Sequence, residues 1–255
     1  MELSYYPALP PLLLEEEQLR VLPEDRCPYL PDRLARVRGF ACERIHPLNY
    51  HLLMDRGFRR SGSLFYQPMC LGCRACVPLR VPVRGFSPGK SQRRIARRNA
   101  NLVVTVCRLP DLDDPGEVLA LFSLHQQDWH DRQPADVVSE MDALLEPSPV
   151  ETLVFRYRDE AGRLIAAGLC DICELSLSSV YFFFDPAECG RSLGTYGALW
   201  EIEYARRHHI PYYYLGYWVA QCRAMNYKSR FRPHELLGTC GNWRLAPARE
   251  SQPPA

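Results

Sequence analysis

"ETLVFRYRDEAGRLIAAGLCDICELSLSSVYFFFDP", residues 151–186, decides the fold. β-Branched and aromatic residues dominate this stretch, and the polar residues at 159–162 mark a turn, so the pattern predicts successive strands. A helical pattern, "TYGALWEIEYARRHH" at 195–209, follows, and then the strand-like "PYYYLGYW" at 211–218. An antiparallel sheet, a helix and a further strand in this order predict an α+β fold.

The same order is the core pattern of the GNAT acyltransferase fold, although periodicity alone does not separate that fold from other α+β layers. The segment "CGRSLGTYGALWEI" at 189–202 resembles the loop that holds the diphosphate of acyl-CoA in acetyltransferases. In that loop, backbone N–H groups at a helix N-terminus bind the anion. Tyr196 puts a bulky ring where a small residue lets the diphosphate approach, which argues against acetyl-CoA.

The composition limits the classes to which the protein can belong. The chain has 255 residues, of which 47% are hydrophobic and 24% charged, so it is neither disordered nor fibrous. It shows no signal-peptide pattern and no apolar run long enough to span a bilayer. Eleven cysteines, an odd number, favour reduced thiols over a disulfide framework. We therefore expect a soluble cytoplasmic protein.

Four regions are predicted along the chain. Residues 1–25 are proline-rich and acidic and predict an extended N-terminal arm, and residues 246–255 predict a flexible tail. Residues 26–110 form a cysteine-rich region that ends with a basic helix. Residues 111–245 form the C-terminal GNAT-like region, with helical patterns at 116–131 and 135–146 before its strands.

Three thiols at three-residue intervals, Cys70, Cys73 and Cys76, follow an upstream Cys27. Two-residue spacers let consecutive sulfurs converge on one metal, so these four cysteines could bind zinc or an iron–sulfur cluster. Free cysteine also behaves as a small hydrophobe, and core packing is the alternative.

A dense basic stretch, "FSPGKSQRRIARRN" at 86–99, predicts a helix with Ser87 as its N-cap, Pro88 at its first helical position and Asn99 near its end. Its cations are Lys90, Arg93, Arg94, Arg97 and Arg98. No acidic residue interrupts them, so we expect this helix to contact a nucleic-acid backbone, although the net charge of the whole chain is only +1. A solvated helix face is the alternative.

The segment after the last predicted strand is more polar and aromatic than a closing strand needs. It contains Tyr217, Trp218, Asn226, Tyr227, Lys228, Arg230 and Arg232. Aromatic rings beside cations suit stacking on, and phosphate contact with, the end of a nucleic acid. A surface cap with snorkelling Arg and Lys side chains is the alternative.

Four motifs together carry a resemblance to a known family. They are "CPYLPDR" (27–33), "YHLLMDRGFRRSGSLFYQPMCLGCRACVPLRVPV" (50–83), "FSPGKSQRRIARRN" (86–99) and "YYYLGYWVAQCRAMNYKSRFRP" (212–233). In this order they resemble the bacterial branch of the arginyltransferase family, the aminoacyl-tRNA-protein transferases of the N-degron pathway. The resemblance implies a GNAT-like fold, with a second, degenerate GNAT-like unit in the N-terminal half.

The resemblance also implies an activity. Short bacterial members move leucine from leucyl-tRNA to the α-amine of proteins that begin with Asp or Glu, whereas longer eukaryotic relatives use arginyl-tRNA. The donor is an activated ester, so transfer requires no cofactor, no ATP and no membrane. The metal that the family's cysteine cluster implies matches here at best through Cys27, Cys70, Cys73 and Cys76, with a different spacing.

Candidate site residues come from these motifs. The predicted catalytic group is Tyr181, Asp185, Tyr217, Asn226 and Lys228. The predicted substrate-binding group is Arg59, Arg60, Ser61, Tyr66, Tyr227 and Arg230, and the basic helix is predicted to bind tRNA. An arginyl-tRNA donor, an acetyl-CoA-dependent N-acetyltransferase and a metal- or RNA-binding regulator are the alternative functions.

Overall fold

The computed structural model describes residues 5–6, 19–130 and 147–247. The strands are β1 (Tyr5–Tyr6), β2 (Arg20–Val21), β3 (Asp25–Arg26), β4 (Leu34–Ala35), β5 (Val37–Cys42), β6 (Arg59–Ser61), β7 (Leu64–Pro68), β8 (Val77–Pro82), β9 (Val103–Arg108), β10 (Thr152–Arg158), β11 (Leu164–Cys173), β12 (Ser176–Phe184), β13 (Tyr212–Trp218), β14 (Glu235–Leu237) and β15 (Trp243–Leu245). The helices are α1 (Pro47–Asp55), α2 (Lys90–Arg98), α3 (Pro115–His130), α4 (Leu193–Arg207) and the short α5 (Arg223–Asn226). The predicted helix at 135–146, most of the N-terminal arm and most of the C-terminal tail lie outside the described residues.

The larger sheet has the strand order β15-β14-β8-β13-β12-β11-β10-β9. The stretch 151–186 supplies its antiparallel meander β10–β11–β12. Helix α4 then packs on the sheet and returns the chain, so β13 lies parallel to β12. This topology confirms the predicted α+β, GNAT-like fold.

Strands β12 and β13 are paired over only three residues. Their pairing runs from Ser176↔Tyr212 to Ser178↔Tyr214, although both strands continue beyond it. Val180 is an extra residue in β12, since Leu169 of β11 pairs with Tyr181 and its neighbour pairs with Ser179. A bulge of this kind bends its strand. The sheet therefore opens beyond Ser178, and we call this opening the β12–β13 gap.

The smaller sheet, with the order β1-β5-β7-β6 and β2 beside β5, packs with α1 around its own core. This sheet and helix occupy the half that we expected to be a degenerate GNAT-like unit, and that relation stays a prediction. The predicted division at residue 110 does not coincide with the division between sheets. Strands β8 and β9 both precede residue 110 yet belong to the larger sheet, because β8 buries Leu79 and Val81 in its core.

A buried ion pair joins the two sheets. The Arg60 Nε and Nη2 atoms of β6 each lie 2.6 Å from a carboxylate oxygen of Asp171 in β11. Asp171 is 0% exposed and also accepts hydrogen bonds from the hydroxyls of Tyr50 and Thr152. Because the carboxylate is fully partnered, the pair fixes β6 and its neighbour Arg59 against the larger sheet.

None of the described helices is both long and apolar enough to cross a bilayer.

Candidate active site at the gap between two strands

Arg59 lies at the β12–β13 gap. Its side chain is only 8% exposed; Nη1 donates to the Ser178 hydroxyl at 2.8 Å and Nη2 donates to the Ser179 carbonyl. The guanidinium also lies against Gly216 of β13, where an added Cβ would be 3.4 Å from Nη2. Gly216 has a φ of +86°, a conformation that L side chains rarely adopt. The glycine therefore allows a buried cation to sit directly on the backbone at the gap.

Lys228 is a second buried cation near Arg59. It lies in the 3₁₀ turn Tyr227–Arg230, and its Nζ donates to the Tyr217 carbonyl at 3.1 Å. Burial, and then the positive charge of Arg59, lower the pKa of Lys228 to about 7. Within the described ranges, no carboxylate forms an ion pair with either Arg59 or Lys228. The site therefore has an unbalanced positive charge.

Three tyrosines lie near these cations. The Tyr217 hydroxyl donates to the Gly57 carbonyl at 2.9 Å, and burial raises the pKa of Tyr66, which also interacts electrostatically with Arg59. Tyr29 was missed by the sequence analysis, although it belongs to the quoted motif "CPYLPDR". Burial raises its pKa well above the usual range, and Tyr66 and Arg59 are among the groups that act on it. All three hydroxyls are protonated at neutral pH, and because Tyr217 already donates to Gly57, Tyr66 and Tyr29 are the candidate donors to a ligand.

The predicted metal ligands lie next to this site. Burial and then the neighbouring Cys27, Cys70 and Cys73 raise the pKa of Cys76 to about 12, so the four thiols are neighbours. The Cys70 sulfur contacts the backbone of Arg36. Among the described residues, however, no three His, Cys, Asp or Glu side chains converge as a metal site. The metal stays a prediction, and no chemical step is assigned to it.

Two predicted catalytic residues lie on the α3 side of the large sheet. The Tyr181 hydroxyl accepts a hydrogen bond from Gln126 at 2.7 Å, and its ring packs against Phe122. Asp185 accepts from the Ala187 N–H at 2.9 Å and forms an ion pair with Arg163 at 2.6 Å. The structure gives both residues stabilising contacts and does not bring them to Arg59 and Lys228.

Some of the remaining predicted residues stabilise the fold, and the others are exposed on the surface. Arg60 is bound to Asp171, and Ser61 is exposed at the end of β6. Tyr227 packs edge to face against Phe231, with its pKa raised to about 12 by burial. Asn226 and Arg230 are exposed beside the turn that carries Lys228. Arg59, Tyr66, Tyr217 and Lys228 are thus the predicted site residues that the structure brings together.

Helix α2 starts two residues later than predicted, at Lys90 and not at Pro88. Gly89, not Ser87, is its N-cap, because the Gln92 side chain accepts from the Gly89 N–H at 2.8 Å. The five cations are all exposed, and the described residues provide no ion pair between them and a carboxylate. The buried Gln92 also donates to the Arg230 carbonyl at 3.3 Å. The basic helix is therefore attached to the turn that carries Lys228.

The loop before α4 differs from our expectation at Tyr196. The Tyr196 ring is only 7% exposed and packs edge to face on Tyr157 with centroids 5.9 Å apart. It points into the core, so the expectation that this ring fills the anion-binding space is wrong. The Arg98 side chain of α2 instead reaches this loop and donates to the Gly190 carbonyl.

A solved structure has a similar fold. The C-terminal domain of an Agrobacterium fabrum protein described as a lysylphosphatidylglycerol synthetase superposes with a TM-score of 0.50 at 15% sequence identity. The match covers 78% of this chain and 66% of that domain structure. At this identity the likeness concerns the fold alone.

Comparison of sequences identifies the family. Residues 25–94 match the model of the arginine-tRNA-protein transferase N terminus, and residues 117–238 match that of its C terminus. A Thiobacillus denitrificans protein named aspartate/glutamate leucyltransferase is 38% identical over 95% of this chain and 100% of its own length. A Paramagnetospirillum magneticum protein of the same name is 38% identical over 87% of this chain and 91% of its own. The chain therefore belongs to the arginine-tRNA-protein transferase family, as its motifs predicted.

Proposed function

We propose that the protein transfers leucine from leucyl-tRNA to the N-terminal α-amine of proteins that begin with Asp or Glu, which marks them for N-degron proteolysis. The family membership supports an aminoacyl-tRNA donor and a protein acceptor, and the name shared by the relatives supports leucine and acidic N-termini. One structural observation carries the acceptor assignment: Arg59 and Lys228 are buried together without a carboxylate.

The acceptor's side-chain carboxylate is the missing anion. A buried charge without a partner is costly, and the two cations raise that cost by repelling each other. A substrate carboxylate at Arg59 supplies the opposite charge, and the planar guanidinium suits it because it already presents a fork of donors. An acceptor that begins with Lys would leave Arg59 unpaired and add another positive charge beside it. The site therefore selects Asp and Glu.

The reaction needs little help beyond positioning, since the aminoacyl ester is already activated. The acceptor nitrogen attacks the ester carbonyl, a C–N bond forms, and the C–O bond to the terminal ribose breaks. The amine loses one proton, and the ribose oxygen gains one. Lys228 has a pKa of about 7, so its neutral form is available at physiological pH to accept the amine proton. The Tyr66 and Tyr29 hydroxyls are candidate donors to the developing oxyanion.

Helix α2 binds the tRNA in this proposal. Its exposed cations are not paired with carboxylates of the described chain, so the phosphate backbone of tRNA is a fitting partner. The contact between Gln92 and the Arg230 carbonyl connects this helix to the Lys228 turn, so a tRNA bound on α2 lies beside the reacting groups.

An arginyl-tRNA donor is the second candidate, because the name of the family model specifies arginine. The test is a transfer assay with labelled leucyl-, arginyl- and phenylalanyl-tRNA against peptides that begin with Asp, Glu, Lys or Ala. We expect label from leucyl-tRNA on the Asp and Glu peptides alone. Label from arginyl-tRNA would support the second candidate, and efficient modification of Lys peptides would refute the acceptor assignment.

Two controls cover the other classes of function. Calorimetry with acetyl-CoA tests for an N-acetyltransferase. Stoichiometric RNA binding without transfer from any charged tRNA would indicate a regulator.

A further inference from the structure

A buried carboxylate on α4 has no role in the function proposed above. Glu201 faces the large sheet and is 1% exposed. Its Oε2 accepts a hydrogen bond from the Tyr213 hydroxyl. Its Oε1 is also buried and has no partner of regular hydrogen-bond geometry among the described residues, although the Cys170 and Ser179 side chains lie close enough to interact with the carboxylate. An unsatisfied carboxylate oxygen in a protein core is uncommon and indicates a missing partner.

The surroundings of Glu201 lack a positive charge. Burial raises the pKa of Glu201 to about 7, and the nearby Tyr213, Cys170 and Ser179 offset only part of that effect. No ion pair with Glu201 occurs in the described parts of the chain. Glu201 Oε1 lies directly against Gly168 of β11, since an added Cβ there would come within 2.7 Å of this oxygen. No cation of the described chain therefore balances the ionised form of this carboxylate.

The position of Glu201 relates it to the β12–β13 gap. Ser178 directs its hydroxyl to Arg59, whereas its neighbour Ser179 lies near Glu201. Successive residues of a strand point to opposite faces, so Arg59 and Glu201 lie on opposite sides of β12. Both approach β12 where its pairing with β13 ends. A substrate that enters the gap thus has two cations on one side and a carboxylate on the other.

We infer that Glu201 binds the α-ammonium group of the donor aminoacyl ester. This inference rests on the proposed function. The carboxyl group of the donor leucine is esterified to tRNA, so its α-ammonium is the only charge beside the reacting carbonyl. Glu201 attracts that charge, and Arg59 and Lys228 repel it. The acceptor's carboxylate experiences the opposite forces, so the two substrates are directed to opposite sides of β12.

The inference makes the donor's free amino group a specificity determinant. A donor whose α-amine is acylated, as in a peptidyl or formylated ester, offers no cation to Glu201. Such esters would be rejected, because binding them would leave the carboxylate buried and unpaired. The enzyme would then add only single amino acids that carry a free amine.

The test compares leucyl-tRNA with its deaminated analogue, 2-hydroxy-4-methylpentanoyl-tRNA, which keeps the side chain and the ester. The kcat/KM ratio of the two esters is measured with one Asp-initiated peptide and divided by the ratio of their uncatalysed aminolysis rates. A hydrogen bond to a charged group corresponds to a preference of about 10- to 150-fold for leucyl-tRNA in the wild type. Glu201→Gln should reduce the preference to about 3-fold or less, with the peptide KM unchanged. Glu203→Gln, on the exposed face of α4, is the matched control and should behave as the wild type.

The outcomes separate this inference from the proposed function. Equal use of both esters by the wild type overturns the inference and leaves leucine transfer intact. Equal losses with both esters in Glu201→Gln also overturn it, because that result indicates a structural role. If Glu201→Gln does not fold, as judged by its thermal transition, the wild-type ratio decides. Absence of any leucine transfer by the wild type overturns the proposed function and this inference with it.

Discussion

Neighbouring arginines on β6 should respond in opposite ways to the same substitution. Arg59 faces the β12–β13 gap without a carboxylate, whereas Arg60 is bound to the fully buried Asp171. Arg59→Gln removes a charge that pairs with the substrate, and Arg60→Gln removes a charge that pairs with the protein. The first variant should lose activity toward acidic N-termini, and the second should lose stability.

The magnitudes follow from these contacts. Removing one partner of a buried, hydrogen-bonded charge pair costs about 2–5 kcal/mol. For Arg59→Gln this corresponds to a fall in kcat/KM for an Asp-initiated peptide of about 30- to 5,000-fold, at about 1.36 kcal/mol per tenfold. Its folding should change little, because the lost hydrogen bonds are offset by the end of repulsion with Lys228. Arg60→Gln leaves Asp171 with only hydroxyl donors, which costs about 3–5 kcal/mol of the free energy of unfolding.

The assay measures kcat/KM for paired peptides that begin with Asp or Asn, together with thermal unfolding of each variant. Arg59→Gln should abolish the preference for Asp over Asn. Arg60→Gln should keep that preference and lower the melting temperature by about 6–20 °C. Removing Arg59 should also raise the pKa of Lys228 and shift the alkaline rise of kcat/KM to higher pH. An Arg59→Gln enzyme that still prefers Asp would refute the acceptor assignment.

Three further predictions concern the tRNA helix, Lys228 and the thiols. Replacing Arg93, Arg94 and Arg97 by Ala should weaken tRNA binding by a few kcal/mol and reduce the salt dependence by roughly two to three ion equivalents. The melting temperature should stay near that of the wild type; unchanged affinity would contradict the assignment. Lys228 has a folded pKa of about 7 against 10.5 when unperturbed, so the unfolded chain binds more protons between these values. Urea titrations should show wild-type stability rising with pH across that window, and Lys228→Met should lack the rise. If Cys70, Cys73 and Cys76 hold a metal with Cys27, anaerobically purified protein should contain about one zinc per chain, or iron with acid-labile sulfide, and Cys73→Ser should lose the metal and some stability. If the protein contains no metal and the mutant has an unchanged melting temperature, these cysteines contribute only to core packing.

The sequence was most informative where local chemistry decides the structure. Periodicity placed the meander and α4, and the uninterrupted cations located α2. The start of α2 was missed because the choice between Ser87 and Gly89 as its cap depends on where the Gln92 side chain lies. That position depends in turn on Arg230, which is 138 residues away.

The site was harder to predict because it depends on long-range pairing. Two adjacent arginines on a strand must face opposite sides, but only the fold shows that Arg60 finds an aspartate 111 residues away. The sequence analysis assigned no role to Glu201. Its spacing from the buried Ala198 and Ala205 places it on the apolar stripe, and that signal could have identified it.

The separation of charges across β12 is itself an argument for a substrate between them. If Arg59 and Glu201 were adjacent, they would form an ion pair, and neither would remain available to a ligand. The backbone of β12 prevents this, since Arg59 holds the Ser179 carbonyl while Glu201 lies near that residue on the other face. Unpaired buried charges of both signs lower the stability of the free protein. Two substrates that bring the opposite charges to the two faces would recover that free energy together at the point where the sheet opens, and there their reacting atoms can meet.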